Sequence, residues 1–215
     1  MEESIIFSEA WRYFLSIIAS VILIAGAARY IRSIAKRVVI TRPLAWCSIT
    51  LLMAATLYTQ LMMIGFQPSL IVLASYVAAC AMICLVSFFQ KRYDDHAKPL
   101  EWIFLLWSVI AVCIYIVTKD VYAIMWCALC GHVFISVITF FNGSSATLLS
   151  QCSSMWCCTM IAQCLVIFTC IDQNYLYAIV PAYLLLFNAI MTVTTSRKIL
   201  HKWRIKLIRK PKCQT

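Results

Sequence analysis

The chain has 215 residues, of which 64% are hydrophobic and only 12% charged, and its mean hydropathy is +0.90. A soluble domain carries about 25% charged residues, so no folded surface of this composition is wetted all round. The net charge of +10 does not point to nucleic acid, because the lysines and arginines cluster in short segments between apolar runs.

An all-α integral membrane bundle follows. A bilayer core of about 30 Å needs ~20 apolar helical residues, and only helices or closed barrels satisfy the backbone in lipid. The apolar runs are continuous and longer than the ~10-residue alternating strands of a barrel. The first expected span runs from Arg12 to Ile34 and carries Arg29 and Arg32 in its last turns. Its acidic leader and the lack of a small-x-small cleavage site mark it as a retained helix rather than a signal peptide. Leu44–Gly65 and Ser69–Gln90 follow, separated by Phe66, Gln67 and Pro68. Glu101–Thr118 and Val121–Phe141 flank Lys119 and Asp120, and Ala146–Cys170 and Leu176–Thr195 complete seven transmembrane helices. Six is the rival count, should the first segment not insert fully.

With seven spans, sixteen of the eighteen basic residues fall on one side: those after span one, after span three, and from Arg197 to Lys212. Arg12 and Lys119 fall on the other. Basic loops stay in the cytoplasm, so the N-terminus is expected outside and the C-terminus inside, in a multi-pass cell membrane, the inner membrane of a bacterium. In the tail, residues 196–215, Ile199, Leu200, Trp203 and Leu207 share one helical face and basic residues fill most of the rest. That pattern suits a helix lying on the anionic inner leaflet; a docking site for a partner is the alternative.

Transporter folds are often built from structural repeats, and seven spans admit a 3+1+3 division. Pro68 and Ser75 in span three echo Pro181 and Asn188 in span seven, while Trp46 and Trp156 sit in the cytoplasmic halves of spans two and six. The expected organisation is a first three-helix repeat over residues 1–99, a linker helix over 100–120, and a second repeat over 121–195. Two three-helix units joined by one span run the same way through the membrane, a parallel repeat.

The segment Thr41-Arg42-Pro43-Leu44-Ala45-Trp46, Gln60 with Gly65, Leu100-Glu101-Trp102, Thr118-Lys119-Asp120, and the run from Pro181 to Asn188 resemble a group of uncharacterised bacterial seven-helix proteins. Their architecture is similar to that of the PQ-loop, SWEET and semiSWEET transporters. The resemblance implies two halves facing each other across a central polar cavity, lined by an asparagine from the third helix of each half. Asn188 is one of these; Ser75 stands at the other position. Ala28-Arg29-Tyr30 and His132-Val133-Phe134 stand where the Pro-Gln pairs of the transporters lie.

A mid-membrane amide needs a hydrogen-bond partner and faces the bundle interior, which makes Asn188 the leading site residue. Gln60, Gln163, Ser75 and Thr56 complete a polar lining, or else make packing contacts between helices. Trp46, Trp156, Tyr183 and Trp102 offer flat faces to a ring-shaped solute, against the alternative of an interfacial aromatic belt. His132 is the one histidine inside a span, expected to be neutral and bonded to a carbonyl. No acidic residue lies deep in any span, so facilitated diffusion is a simpler expectation than ion coupling.

The cysteines include a Cys-x-x-Cys at Cys127 and Cys130, but the second ligand pair that a metal site requires is missing. Neither catalytic signatures nor a lysine in span seven for a Schiff base is present. No enzyme activity and no cofactor are expected. The leading function is a small-solute carrier or facilitator, sugar- or metabolite-like in substrate, with its site at mid-membrane. The alternative is a non-transporting scaffold or accessory subunit that docks partners through its basic tail.

Overall fold

Proline and short polar links set where the helices begin. Pro43, Pro68 and Pro99 open the second, third and fourth helices, where a missing N–H costs nothing and φ is already helical. The computed structural model describes residues 9–37, 41, 43–89, 99–142, 146–170 and 176–208. Among them are seven helices and no strand: α1 (Glu9–Ala35), α2 (Pro43–Ile64), α3 (Pro68–Phe88), α4 (Pro99–Thr118), α5 (Val121–Asn142), α6 (Ala146–Cys170) and α7 (Leu176–Ile208). Of these, α1, α2 and α3 are long and apolar enough to cross a membrane. The described apolar stretches of the other four are shorter: Leu105–Thr118, Tyr122–Ile135, Ser154–Cys170 and Tyr177–Val193.

The links between helices are built from single residues. Gly65 leaves α2 at φ +72, the left-handed turn that favours glycine, and donates its N–H to Leu61 O at 3.0 Å. Gln67 is extended, as a residue before proline must be. Lys119 turns the chain at φ 53, and Asp120 then caps α5, its Oδ1 accepting the N–H of Tyr122 at 2.9 Å and of Ala123 at 3.3 Å.

The far end of α7 lies well beyond the expected one. α7 opens at the expected Leu176, with Pro181 inside the helix. Proline removes the N–H that would bond to the carbonyl four residues back, here that of Tyr177. The Cys170 thiol donates to that carbonyl at 3.6 Å and supplies the missing bond. α7 also runs unbroken to Ile208, because no glycine or proline stands between Pro181 and Pro211. The expected boundary at 195–196 is therefore continuous helix. Residues 209–215, and the basic residues at 91–98, lie outside the described residues.

Packing follows small residues. α3 lies against both α1 and α2, α6 against α7 and α1, and α5 against α2, with α4 outside α2 and α5. At the α1–α6 crossing, a Cβ added to Gly26 would stand 2.6 Å from Cys158 Cβ and 3.5 Å from Met155 Cα. At the α5–α2 crossing, a Cβ on Gly131 would meet Leu52 at 2.9 Å and Trp107 at 2.6 Å. Close helix contact through glycine is the usual solution where no hydrophobic driving force separates helix from lipid. α2 and α3 are antiparallel, since Thr41 and Pro43 before and at the start of α2 are bonded to Ser87 and Cys84 near the end of α3. α4 is tied on by Ser108 Oγ to Ser48 O at 3.4 Å and by Trp107 Nε1 to Cys127 O at 3.3 Å.

Large apolar side chains also lie on the outer surface. The buried face of α1 holds Ser16, Ala19, Ser20, Gly26 and Ala27 together with Leu23, Tyr30 and Ile34, while Phe14, Ile17, Val21 and Ile24 form an exposed stripe. On α4 the exposed surface carries Trp102, Ile103, Leu106, Val109 and Ile110.

Candidate functional site

The central feature is a histidine held by two tyrosines from different helices. His132 on α5 is 1% exposed. Its Nδ1 lies 2.7 Å from Tyr183 Oη on α7, and its Nε2 lies 3.5 Å from Tyr76 Oη on α3. Tyr183 Oη also reaches Leu129 O at 3.4 Å. One proton arrangement satisfies every group: Tyr76 O–H donates to Nε2, Nδ1–H donates to Tyr183 Oη, and Tyr183 O–H donates to the carbonyl. The expected carbonyl partner of His132 is thus one step removed, and a hydroxyl takes its place. No carboxylate or basic side chain takes part in this chain.

Aromatic rings surround the imidazole. Phe187 stands edge-on to it with centroids 5.0 Å apart, Tyr183 at 5.9 Å and Tyr76 at 6.4 Å. Phe187 stacks on Tyr183 at 6.3 Å and meets Trp156 of α6 edge-on at 5.9 Å. Both Trp156 and Phe187 are buried, in a small cluster with Met191 and Tyr183. The backbone of α5 packs on α2 and α4, so His132 reaches α3 and α7 through side chains.

Asn188 follows Phe187 and is 0% exposed. Its Nδ2 donates to Leu184 O in its own helix at 2.5 Å, while Oδ1 has no partner among the described residues. Trp156 Nε1 and Gln60 Nε2 are likewise buried donors without an acceptor, as are the hydroxyls of Ser16 and Ser20 on α1. Each such atom costs about 1–3 kcal/mol when left dry.

Of the residues singled out from sequence, Tyr183 and Trp156 pack on Phe187, and Asn188 follows it in the chain. Ser75 is half-buried and donates to Ile71 O of its own turn at 2.8 Å; its neighbour Tyr76 is the α3 residue that reaches His132. Trp46 packs on Tyr30 of α1, ring centroids 5.8 Å apart, and no ring contact or hydrogen bond joins it, Ser75 or Gln60 to the His132 cluster among the described residues. Thr56 and Thr159 bond back to Leu52 O and Met155 O, both at 2.9 Å, and Gln163 is buried four residues beyond Thr159. Trp102 is 57% exposed on α4. Sequence reasoning passed over Tyr76 and Phe187; the available signal was a phenol in mid-span, whose O–H needs an acceptor inside the bundle.

Among the described residues no group of three His, Cys, Asp or Glu side chains is placed to hold a metal ion. No protein-family profile, curated protein or solved structure matches the chain.

Proposed function

We propose that the chain is a membrane carrier of 3+1+3 design that moves a small polar solute through a site between α6 and α7 at mid-membrane. The observation that carries this reading is the pair of buried polar atoms on α6 and α7 without partners among the described residues: Trp156 Nε1 and Asn188 Oδ1. In hydrocarbon such groups find partners in water or a bound molecule. An acceptor and an indole donor beside the aromatic faces of Trp156 and Phe187 suit a hydroxyl-bearing ring, sugar- or metabolite-like, and the likeness to SWEET-type carriers points the same way.

The pairing of helices supports a duplicated design. Exchanging α1 with α5, α2 with α6, and α3 with α7 turns the α1–α6 contact into α5–α2 and the α2–α3 contact into α6–α7, while the α1–α3 contact has no α5–α7 counterpart of similar extent. The crossing glycines follow the same exchange, Gly26 on Met155 and Gly131 on Leu52. So do the residues that follow at spacings of four: Leu52, Thr56 and Gln60 on α2 match Met155, Thr159 and Gln163 on α6. Large apolar side chains on the outer faces of α1 and α4 favour contact with lipid, and the charge asymmetry favours an outside N-terminus and a basic tail on the inner leaflet.

Uptake of a panel of sugars, nucleosides and vitamins into liposomes containing the purified chain tests the reading. At least one solute is expected to enter faster than into protein-free vesicles, and Asn188→Ala to slow it about tenfold, the value of a lost buried hydrogen bond. Entry no faster than into empty vesicles for every solute would sink it and leave the scaffold that docks through its basic tail.

A further inference from the structure

The Tyr76–His132–Tyr183 chain crosses from the first three helices to the last three, and its two contacts are unequal. Within the second half, His132 and Tyr183 are 2.7 Å apart; across the halves, His132 and Tyr76 are 3.5 Å apart. The α3–α5 contact is made by these side chains, while the α5 backbone packs on α2 and α4. If α3 draws away from α5, the long contact is the one that opens.

Building on the carrier reading, we propose that this chain is a proton-sensitive tie between α3 and α5: closed, it holds a neutral His132, and its opening takes up one proton. In the closed form Nε2 is the acceptor for Tyr76 O–H, and among the described residues no carboxylate stands beside the buried ring to balance a charge. When Tyr76 withdraws, the Nε2 lone pair is free and water reaches it. A hydronium ion then gives its proton to Nε2; one N–H bond forms, one O–H bond breaks, and water is left. The resulting imidazolium donates from both nitrogens, so it offers no acceptor to Tyr76, which keeps the tie apart.

The groups facing His132 leave it as the switching element. α3 brings Tyr76, with Cys80 one turn on; α7 brings Tyr183; α5 itself carries Cys130. α2 has only Cys47 and Tyr58 to titrate, and Tyr58 is exposed, while α4 contributes Cys113 among its described side chains. A free imidazole titrates at about pH 6.5. Below that the open form binds a proton that the closed form does not, so acid favours opening by up to about tenfold per pH unit, and alkali favours closure.

The chain has three histidines, so nitrogen NMR of histidine-labelled protein in lipid nanodiscs, compared with His132→Gln, isolates the His132 ring. It is expected as one neutral tautomer at pH 8 and charged by pH 5. Hydrogen–deuterium exchange along α5, corrected for its intrinsic pH dependence, should rise over the same range. His132→Gln should exchange equally at both pH values. Tyr76→Phe, which cuts the tie and keeps the titrating ring, should already exchange fast at pH 8, and it tests the idea even if His132→Gln fails to fold. A ring still neutral at pH 5, an unchanged pH response in His132→Gln, or a Tyr76→Phe chain that opens no sooner than the natural one would overturn the proposal. A pH-linked opening in a chain that carries no solute would support the tie while removing the carrier reading.

Discussion

The two ends of the Asn188 amide have different surroundings, and substitutions separate them. Nδ2 is spent on Leu184 O, while Oδ1 is buried and unmet. Replacing a buried, half-satisfied polar group by an apolar one of similar shape is nearly neutral or stabilising. Asn188→Leu is therefore expected to melt no lower than the natural chain in detergent while losing uptake, a trade typical of functional positions. A fall in melting temperature together with full uptake would contradict that assignment. Tyr183→Phe removes the partner of His132 Nδ1 at 2.7 Å and should cost about 1–3 kcal/mol, read as a lower melting temperature. The same residues show the limit of sequence at this scale. Ser75 and Tyr76 are adjacent, and one step along a helix turns the side chain by about 100°. Residue type indicates that a polar side chain turns inward but not which of two neighbours meets a partner on another helix.

At the scale of the helices, the starts were legible and the neighbours were not. α2 and α3 begin on Pro43 and Pro68, one residue from the expected starts, and α5 and α6 begin at the expected Val121 and Ala146. Proline at the first helical position and an aspartate cap are local signals, complete within a few residues. The end of α7 has no such signal, and its amphipathic tail pattern is equally compatible with a separate helix. The crossings through Gly26 and Gly131 also escaped notice, because a glycine in an apolar run has no periodic signature. They give a graded test. A Cβ at Gly26 meets Cys158 Cβ, close to the α6 backbone, whereas one at Gly131 meets the ring of a partly exposed Trp107 and a leucine methyl that can turn away. Gly26→Ala should thus destabilise by about 1–3 kcal/mol, as overpacking does, and Gly131→Ala by less. Equal melting temperatures for the two variants would contradict the crossing geometry. Cys170→Ala should also lower stability, because it leaves the Tyr177 carbonyl, already deprived by Pro181, without its thiol donor.

For the whole molecule, composition alone indicated an all-helical chain with membrane spans, and among the described residues there are seven helices and no strand, three of the helices long and apolar enough to cross a membrane. The chain should remain with membranes through an alkaline carbonate wash and leave them only with detergent. A cytoplasm-active reporter fused after Thr215 should be active, and one fused before Met1 should not. The reverse pattern would invert the orientation drawn from the basic loops. The pairing of α1 with α6 and α2 with α5 had no direct signal in the sequence, since it joins segments more than sixty residues apart.

The uninterrupted run of α7 has a mechanical consequence. At 1.5 Å per residue its 33 residues make a rod of about 50 Å, longer than a hydrocarbon layer of about 30 Å, so on the carrier reading proposed above its basic end reaches past the lipid. Asn188 rides on that rod. A lipid or protein that grips the protruding end therefore holds a crank handle: any tilt it imposes arrives at the amide undiminished, with no joint to absorb it short of Pro181.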